Sequence, residues 1–183
     1  MPIIGIQASA NQQARSDTGA MVPLGLVQVG SAGTATITFS SIPSTYKHLQ
    51  IRGIARTATN VSLGLRFNSD TGANYSRHFI NGNGTAPGAG GNADYAFSWA
   101  GSAAQNALTY GANIIDILDY TNTNKYKTVK VISGGDNNGS GYMQIMSGNW
   151  RNTNAVTSID IFQAEGNTIT EYSSFALYGI KGS

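Results

Sequence analysis

Apolar and polar positions alternate in three strand-length runs between residues 113 and 150, with Asn, Asp and Gly clustered between the runs. The runs centre on residues 114–118, 129–131 and 143–145. Such alternation is typical of a strand with one buried face. Asn138 and Gly139 form the dipeptide that a tight type I′ hairpin prefers, because both of its central residues need a positive φ. The pattern therefore predicts a meander of three antiparallel strands.

The rest of the chain repeats this pattern without a helical period. Further strands are predicted over residues 32–40, 46–56, 61–67, 74–80, 94–100, 156–161 and 169–180. Residues 81–92 and 101–106 consist largely of Gly, Asn, Ala and Ser, so we expect surface loops there. About nine strands with turn signals at close spacing predict an all-β fold. We expect an antiparallel, jelly-roll-like β-sandwich over residues 31–183.

Residues 1–30 differ from the predicted sandwich and are expected to form an extended N-terminal arm. Apolar residues lie at both ends of a polar stretch of small side chains. We expect the arm to dock on a neighbouring subunit or a larger assembly. The candidate anchoring residues are Ile3, Ile4, Ile6, Met21, Val22 and Leu24.

The composition favours contact with other protein over contact with nucleic acid. The chain has 183 residues, of which 40% are hydrophobic, enough for one substantial core. Charged residues make up 11%, well below the roughly 25% that is usual for soluble domains. A surface of Asn, Thr, Ser and Gly gives little repulsion between copies. The net charge is +2 with scattered cations, whereas nucleic-acid binding needs clustered ones.

The residue composition and the N-terminal sequence argue against several other classes of protein. The chain has no cysteine, which excludes disulfides and thiolate metal sites. No apolar run approaches the roughly 20 residues of a membrane helix. The N-terminal sequence lacks the basic flank of a secretory signal, so we expect a soluble product of a cytoplasm.

Candidate catalytic groups are sparse. Asp116 and Asp119 form the one close acidic pair, and their odd spacing on a strand predicts opposite faces. Acid–base catalysis by two carboxylates requires both to converge on one substrate. His48 and His78 have no acidic or cysteine partner in a recognisable motif. The sequence predicts a protein that is not an enzyme.

Residues 136–141 match the front half of a calcium-binding loop, in which alternate oxygens face the ion. The bidentate acid needed at the twelfth position is absent, and Ser147 stands there. A hairpin turn is the favoured interpretation. No metal and no cofactor are predicted.

Four aromatic residues suggest two alternatives. Tyr95, Phe97 and Trp99 alternate on one predicted strand, and Trp150 ends another. Such side chains fill a core or a subunit interface, which is the favoured interpretation. Tyr95, Trp99 and Trp150 are nevertheless candidates for stacking on sugar rings beside Asn-rich loops.

Four segments of the chain resemble a β-rich domain of tailed-phage virion proteins, notably those of cyanophages. They are TITFSSIPSTYKHLQIRGIAR (36–56), LRFNSDTGANYSRHFINGNG (65–84), IIDILDYTNTNKYKTVKVISGGDNNGSG (114–141) and YSSFALYGIKG (172–182). The resemblance runs from about residue 30 to residue 182. It rests on these strings and on no catalytic motif.

The resemblance implies a structural role in the virion, often as trimers, after assembly in the host cytoplasm. A short arm without a fibre shaft favours a capsid decoration (cement) protein that binds the major capsid protein or other virion proteins. The alternative is a tail or head fibre adhesin that recognises host polysaccharide through loops 81–92 and 101–106 and Trp99. A polysaccharide depolymerase would need the converging carboxylates that Asp116 and Asp119 are not expected to supply.

Overall fold

The structure is a computed structural model that describes residues 19–59, 62–102 and 105–182. These residues contain no helix and form thirteen strands. The strands are β1 (Met21–Gln28), β2 (Thr36–Phe39), β3 (His48–Thr57), β4 (Ser62–Phe67), β5 (Tyr75–Gly82), β6 (Pro87–Asn92), β7 (Ala96–Trp99), β8 (Gly101–Ser102), β9 (Gly111–Leu118), β10 (Lys127–Asp136), β11 (Gly141–Trp150), β12 (Ile159–Gln163) and β13 (Ser174–Ile180).

The larger sheet has eight strands in the order β1-β13-β3-β9-β10-β11-β5-β6. All of these neighbours are antiparallel, and the two-residue strand β8 adds a parallel pairing at the end of β3. The predicted meander is confirmed as β9-β10-β11 at the centre of this sheet. Asn138 and Gly139 have φ values of 57° and 94°, as a type I′ turn requires.

The smaller sheet has the order β2-β12-β4-β7 and is also antiparallel. The two sheets pack face to face, and the inward side chains form one hydrophobic core. The core follows from the alternation of side chains along each strand, because every second residue points toward the other sheet. In β9, for example, Ile115 and Ile117 are buried while Ile114 and Leu118 point outward. The predicted all-β, antiparallel β-sandwich is therefore confirmed.

The largest differences from the sequence predictions lie in two segments. Residues 81–92, expected as a loop, contain the end of β5 and the edge strand β6, which pairs with β5 from Gly82↔Pro87 to Arg77↔Asn92. The expected arm over residues 1–30 contains β1, which pairs with β13 at the opposite edge. In both cases the backbone ladder of a neighbouring strand orders a segment whose own side chains carry a weak strand signal.

Candidate interaction surface

The residues predicted to anchor the arm divide into two groups. Ile3, Ile4 and Ile6 lie outside the residues that the structure describes. Met21, Val22 and Leu24 belong to β1, where Val22 is buried and the other two are half-buried. A register shift falls between Pro23 and Gly25, and Leu24 packs against the core. These three residues are therefore part of the sandwich, and not of a separate arm, because the β13 ladder holds them.

Trp150 is a core residue, contrary to its candidacy for sugar stacking. Its side chain is 1% exposed, and its Nε1 donates a hydrogen bond of 2.7 Å to Oδ2 of Asp70. The indole ring packs against Phe67 with 5.4 Å between ring centroids. A ring without a free face cannot stack on a sugar.

Tyr95 is half-buried at the end of the core. It packs edge-to-face on Phe162 with 5.2 Å between centroids, and the Arg66 guanidinium lies 4.7 Å from its ring centroid. The side chains of Phe97 and Trp99 lie outside the described part of the structure. Tyr95 and Trp150, the two candidates whose side chains are described, therefore do not form an exposed surface on which a sugar ring could stack.

Asp116 and Asp119 do not share a site. Asp116 lies on the outward face of β9, and its Oδ1 accepts a 2.7 Å hydrogen bond from Gln50 Nε2. Asp119 follows β9 in a turn with a φ of 47°. There it pairs with Lys125 and, at 2.9 Å, with Lys47, and hydrogen bonds from these two ammonium groups lower its pKa to about 2. Asp119 is held as a permanent anion at neutral pH, unlike an acid–base catalyst.

The segment that resembles a calcium loop is the turn between β10 and β11. Its first residue, Asp136, uses Oδ1 to accept a 2.7 Å hydrogen bond from the Asn138 amide within the turn. Over the described ranges of the chain, no three His, Asp or Glu residues are grouped as a metal site would need. The hairpin interpretation of this segment is confirmed.

A surface that the sequence analysis missed lies on the larger sheet. We call the side of this sheet that points away from the smaller sheet the outer face. Four isoleucines cross it as successive partners on β9, β10, β11 and β5: Ile114, Ile132, Ile145 and Ile80. Directly paired side chains on one face lie about 5 Å apart, so these four form a continuous ridge.

A second apolar row runs beside the first. It joins Ile54 on β3, Ala112 on β9, Gly134 on β10 and Met143 on β11. Ile80 is 61% exposed, Met143 53% and Ile54 51%. Isolated exposed aliphatic residues are ordinary on a protein surface, but a contiguous group across several strands marks a contact site. We call the two rows together the apolar rows.

A polar row borders the apolar rows on the same face. Its members, in strand order from β3 to β5, are Gln50, Asp116, Lys130, Ser147 and His78. The polar row thus separates the apolar rows from Leu118, which is 39% exposed farther along β9 on the same face. One signal in the sequence indicates this face: residues 114–118 are apolar at four of five positions, as expected of a strand in contact on both sides.

The sheet also carries a polar cleft of about 480 Å³ at one end. It lies between the β5–β6 turn and the β10–β11 turn and contains Asn83, Thr85, Gln105, Ser140 and Tyr142. Amides, hydroxyls and one aromatic ring in a shallow cleft are suited to hydrogen bonding with a polar ligand.

Comparisons with protein-family models and with curated proteins find no match to this chain. Within the residues that the structure describes, no helix has the length and apolar character to cross a membrane.

Proposed function

We propose that the protein is a non-enzymatic structural component of a phage virion, most specifically a capsid decoration (cement) protein. The observation that carries this proposal is the exposed pair of apolar rows on the outer face of the larger antiparallel sheet. An exposed apolar surface that crosses several strands is suited to contact with another protein surface, including that of a neighbouring copy.

The electrostatics support a packing role as well. Charged residues are 11% of the chain, so neighbouring copies on a particle repel one another weakly. At the β9–β10 turn the carboxylate of Asp119 pairs with the ammonium groups of Lys47 and Lys125, so these three charged groups together carry a net charge of only +1. Each contact on a lattice can then be modest, because many copies act together.

In this role the sandwich is the body of the protein and residues 1–18 are the anchor. The first strand, β1, begins at Met21 and lies at one edge of the larger sheet. Fully extended, 18 residues span up to about 60 Å, enough to reach a neighbouring capsomer. Ile3, Ile4 and Ile6 would supply the apolar contacts of the anchor.

The first experiment is to measure the number of copies per purified particle by quantitative mass spectrometry against the major capsid protein. A cement protein should be present at a ratio near one, or at a simple fraction of it. A few copies per particle would contradict the capsid assignment and favour a tail or vertex position. Absence from particles would refute every virion role.

A second experiment tests the anchor. The variant without residues 1–18 should still be folded, as judged by near-ultraviolet circular dichroism. When it is added to particles that were prepared without this protein, it should no longer co-sediment with them. A deletion through residue 30, the boundary expected from the sequence, would also remove β1 and the buried Val22. Normal attachment of the shorter deletion would show that the anchor lies in the sandwich.

The alternative function is that of a tail or head fibre adhesin for host polysaccharide. The polar cleft between the β5–β6 and β10–β11 turns favours it, because Tyr142 lies there among amide and hydroxyl groups. Under this alternative, Tyr142→Ala should abolish glycan-array binding, whereas Tyr126→Ala should not. Tyr126 is a suitable control because it is 52% exposed and precedes β10 at the opposite end of the sheet.

A further inference from the structure

The outer face has a pattern of charge that fits a second copy of the same chain. Asp116 on β9 and Lys130 on β10 are direct cross-strand partners in the polar row. Across the described ranges, no carboxylate forms an ion pair with Lys130. The side chain of Asp116 is instead engaged by Gln50. An anion and a cation thus lie side by side on an outward face, each with capacity for a partner.

We infer that two copies of the chain pack through their outer faces about a two-fold axis that runs parallel to the strands, between β9 and β10. This operation places β9 of one copy over β10 of the other. Asp116 then faces Lys130 of the second copy, and the symmetry repeats the pair in reverse. The same operation keeps the polar row over the polar row and the apolar rows over the apolar rows.

The remaining positions are compatible with this axis. Ile114 faces Ile132 of the second copy, and Ile54 faces Met143, so exposed apolar side chains cover each other. Arg52 faces Ile145 of the second copy with its aliphatic stem. Its guanidinium is directed to the polar row, because its Nε donates a 2.9 Å hydrogen bond to Oε1 of Gln50.

An axis perpendicular to the strands does not achieve this match. Such an axis would place each strand over the same strand of the second copy. Asp116 would then face Asp116 and Lys130 would face Lys130, or both residues would lie outside the interface. Like charges opposed in an interface cost affinity and disfavour that arrangement. The charge pattern therefore selects the axis along the strands.

The area of the face is sufficient for a stable dimer. Six strands, from β13 to β5, span about 29 Å. Four same-face positions along each strand span about 27 Å: the two apolar rows, the polar row, and a fourth row that contains Leu118, Thr128, Asn149 and Ser76. The resulting footprint is about 800 Å² per copy, which is what each partner contributes to a standard interface. The apolar rows alone would provide roughly half of this area, so the polar row with its charge pair is needed.

Sedimentation velocity of the full chain between about 1 and 100 μM tests this interface. The wild type should form a reversible dimer. Asp116→Lys and Lys130→Asp should each weaken association at least about tenfold, because each turns both symmetric pairs into like charges. An equimolar mixture of the two variants should recover dimers, since every crossed pair is then of opposite sign.

Controls separate this interface from other effects. Lys181→Asp changes an exposed charge beyond β13 and should leave association unchanged. Ile145→Ser should weaken association without altering charge. A monomeric wild type at all concentrations, a trimer mass as the sequence resemblance implies, or folded variants whose mixture does not associate would overturn the inference. No phage particle is involved, so the virion role is tested separately by copy number.

Discussion

The ammonium group of Lys127 is fully buried and donates a 2.7 Å hydrogen bond to the carbonyl oxygen of Asn122. It also donates to the carbonyls of Lys125, at 3.2 Å, and Thr153, at 3.0 Å. One cation thereby joins the β9–β10 turn to the segment after β11. Burial, and secondarily Lys125, lowers its pKa. The three carbonyls replace the water that the ammonium has lost.

We expect Lys127→Met to lower the free energy of unfolding by about 2–4 kcal/mol, because three partly buried carbonyl groups lose their hydrogen-bond donor. Urea denaturation monitored by circular dichroism measures the change. Lys181→Met, an exposed position, is the control and should lie within about 0.5 kcal/mol of wild type. A Lys127→Met variant as stable as wild type would show that apolar packing replaces the polar contacts fully.

The bond between Trp150 and Asp70 joins the end of β11 to the β4–β5 turn. Asp70 also accepts from Asn74 Nδ2 and from the Gly72 amide, both at 2.8 Å, so it organises that turn. Trp150→Phe removes the indole donor and should cost about 2 kcal/mol of stability. A double-mutant cycle with Asp70→Asn should give a coupling free energy of about 1 kcal/mol. If the effects of the two substitutions on stability were additive, the hydrogen bond would contribute nothing to stability.

Low pH should destabilise the protein, because Asp70 and Asp119 lose stabilising interactions when they are protonated. The pKa of Asp119 is lowered to about 2, and the Trp150 hydrogen bond lowers the pKa of Asp70. In the unfolded chain an aspartate has a pKa of about 3.9, so around that pH the folded state binds fewer protons than the unfolded state. The stabilisation is complete above about pH 5 and is lost as the pH falls through the folded pKa values.

The variant Asp119→Asn tests this pH dependence. It should be less stable than wild type at pH 7, and its stability should fall less steeply between about pH 4 and pH 2. Thermal unfolding measured across that range provides the comparison. Parallel curves for the two proteins would mean that the ion pairs with Lys47 and Lys125 contribute nothing.

Gly64 and Phe162 are cross-strand partners in the smaller sheet, and the phenyl ring covers the glycine. A Cβ at position 64 would lie 2.3 Å from the ring, which is itself covered by Arg66 with the guanidinium 3.9 Å from the centroid. Gly64→Ala should therefore destabilise the protein by about 1–3 kcal/mol in chemical denaturation.

The control for Gly64→Ala is Gly82→Ala, another glycine in a strand. A Cβ at position 82 would meet nothing within 4 Å. The Gly82→Ala variant should be as stable as wild type or slightly more stable, because alanine has a smaller entropy cost on folding. Equal losses at both positions would assign the effect to the strand backbone and not to the ring.

The sequence by itself determined the fold class and the central meander. The signals for these features are local: alternating side chains assign each strand, and a dipeptide such as Asn138-Gly139 supplies the positive φ values of the turn. The hairpin between β10 and β11 was predictable because its two strands are adjacent in the chain. The core positions Ile115 and Ile117 follow from the same alternation.

The tertiary structure decided which distant strands are neighbours, and with them the outer face. Strand β6 is glycine-rich and is a strand because β5 supplies its ladder. Trp150 packs on Phe67 in the core, and its N–H is satisfied there by Asp70, 80 positions away in the chain. The ridge from Ile114 to Ile80 requires β5 to lie beside β11. Neither local propensity nor spacing encodes that pairing, because it depends on the free energy of burying whole sheets against each other.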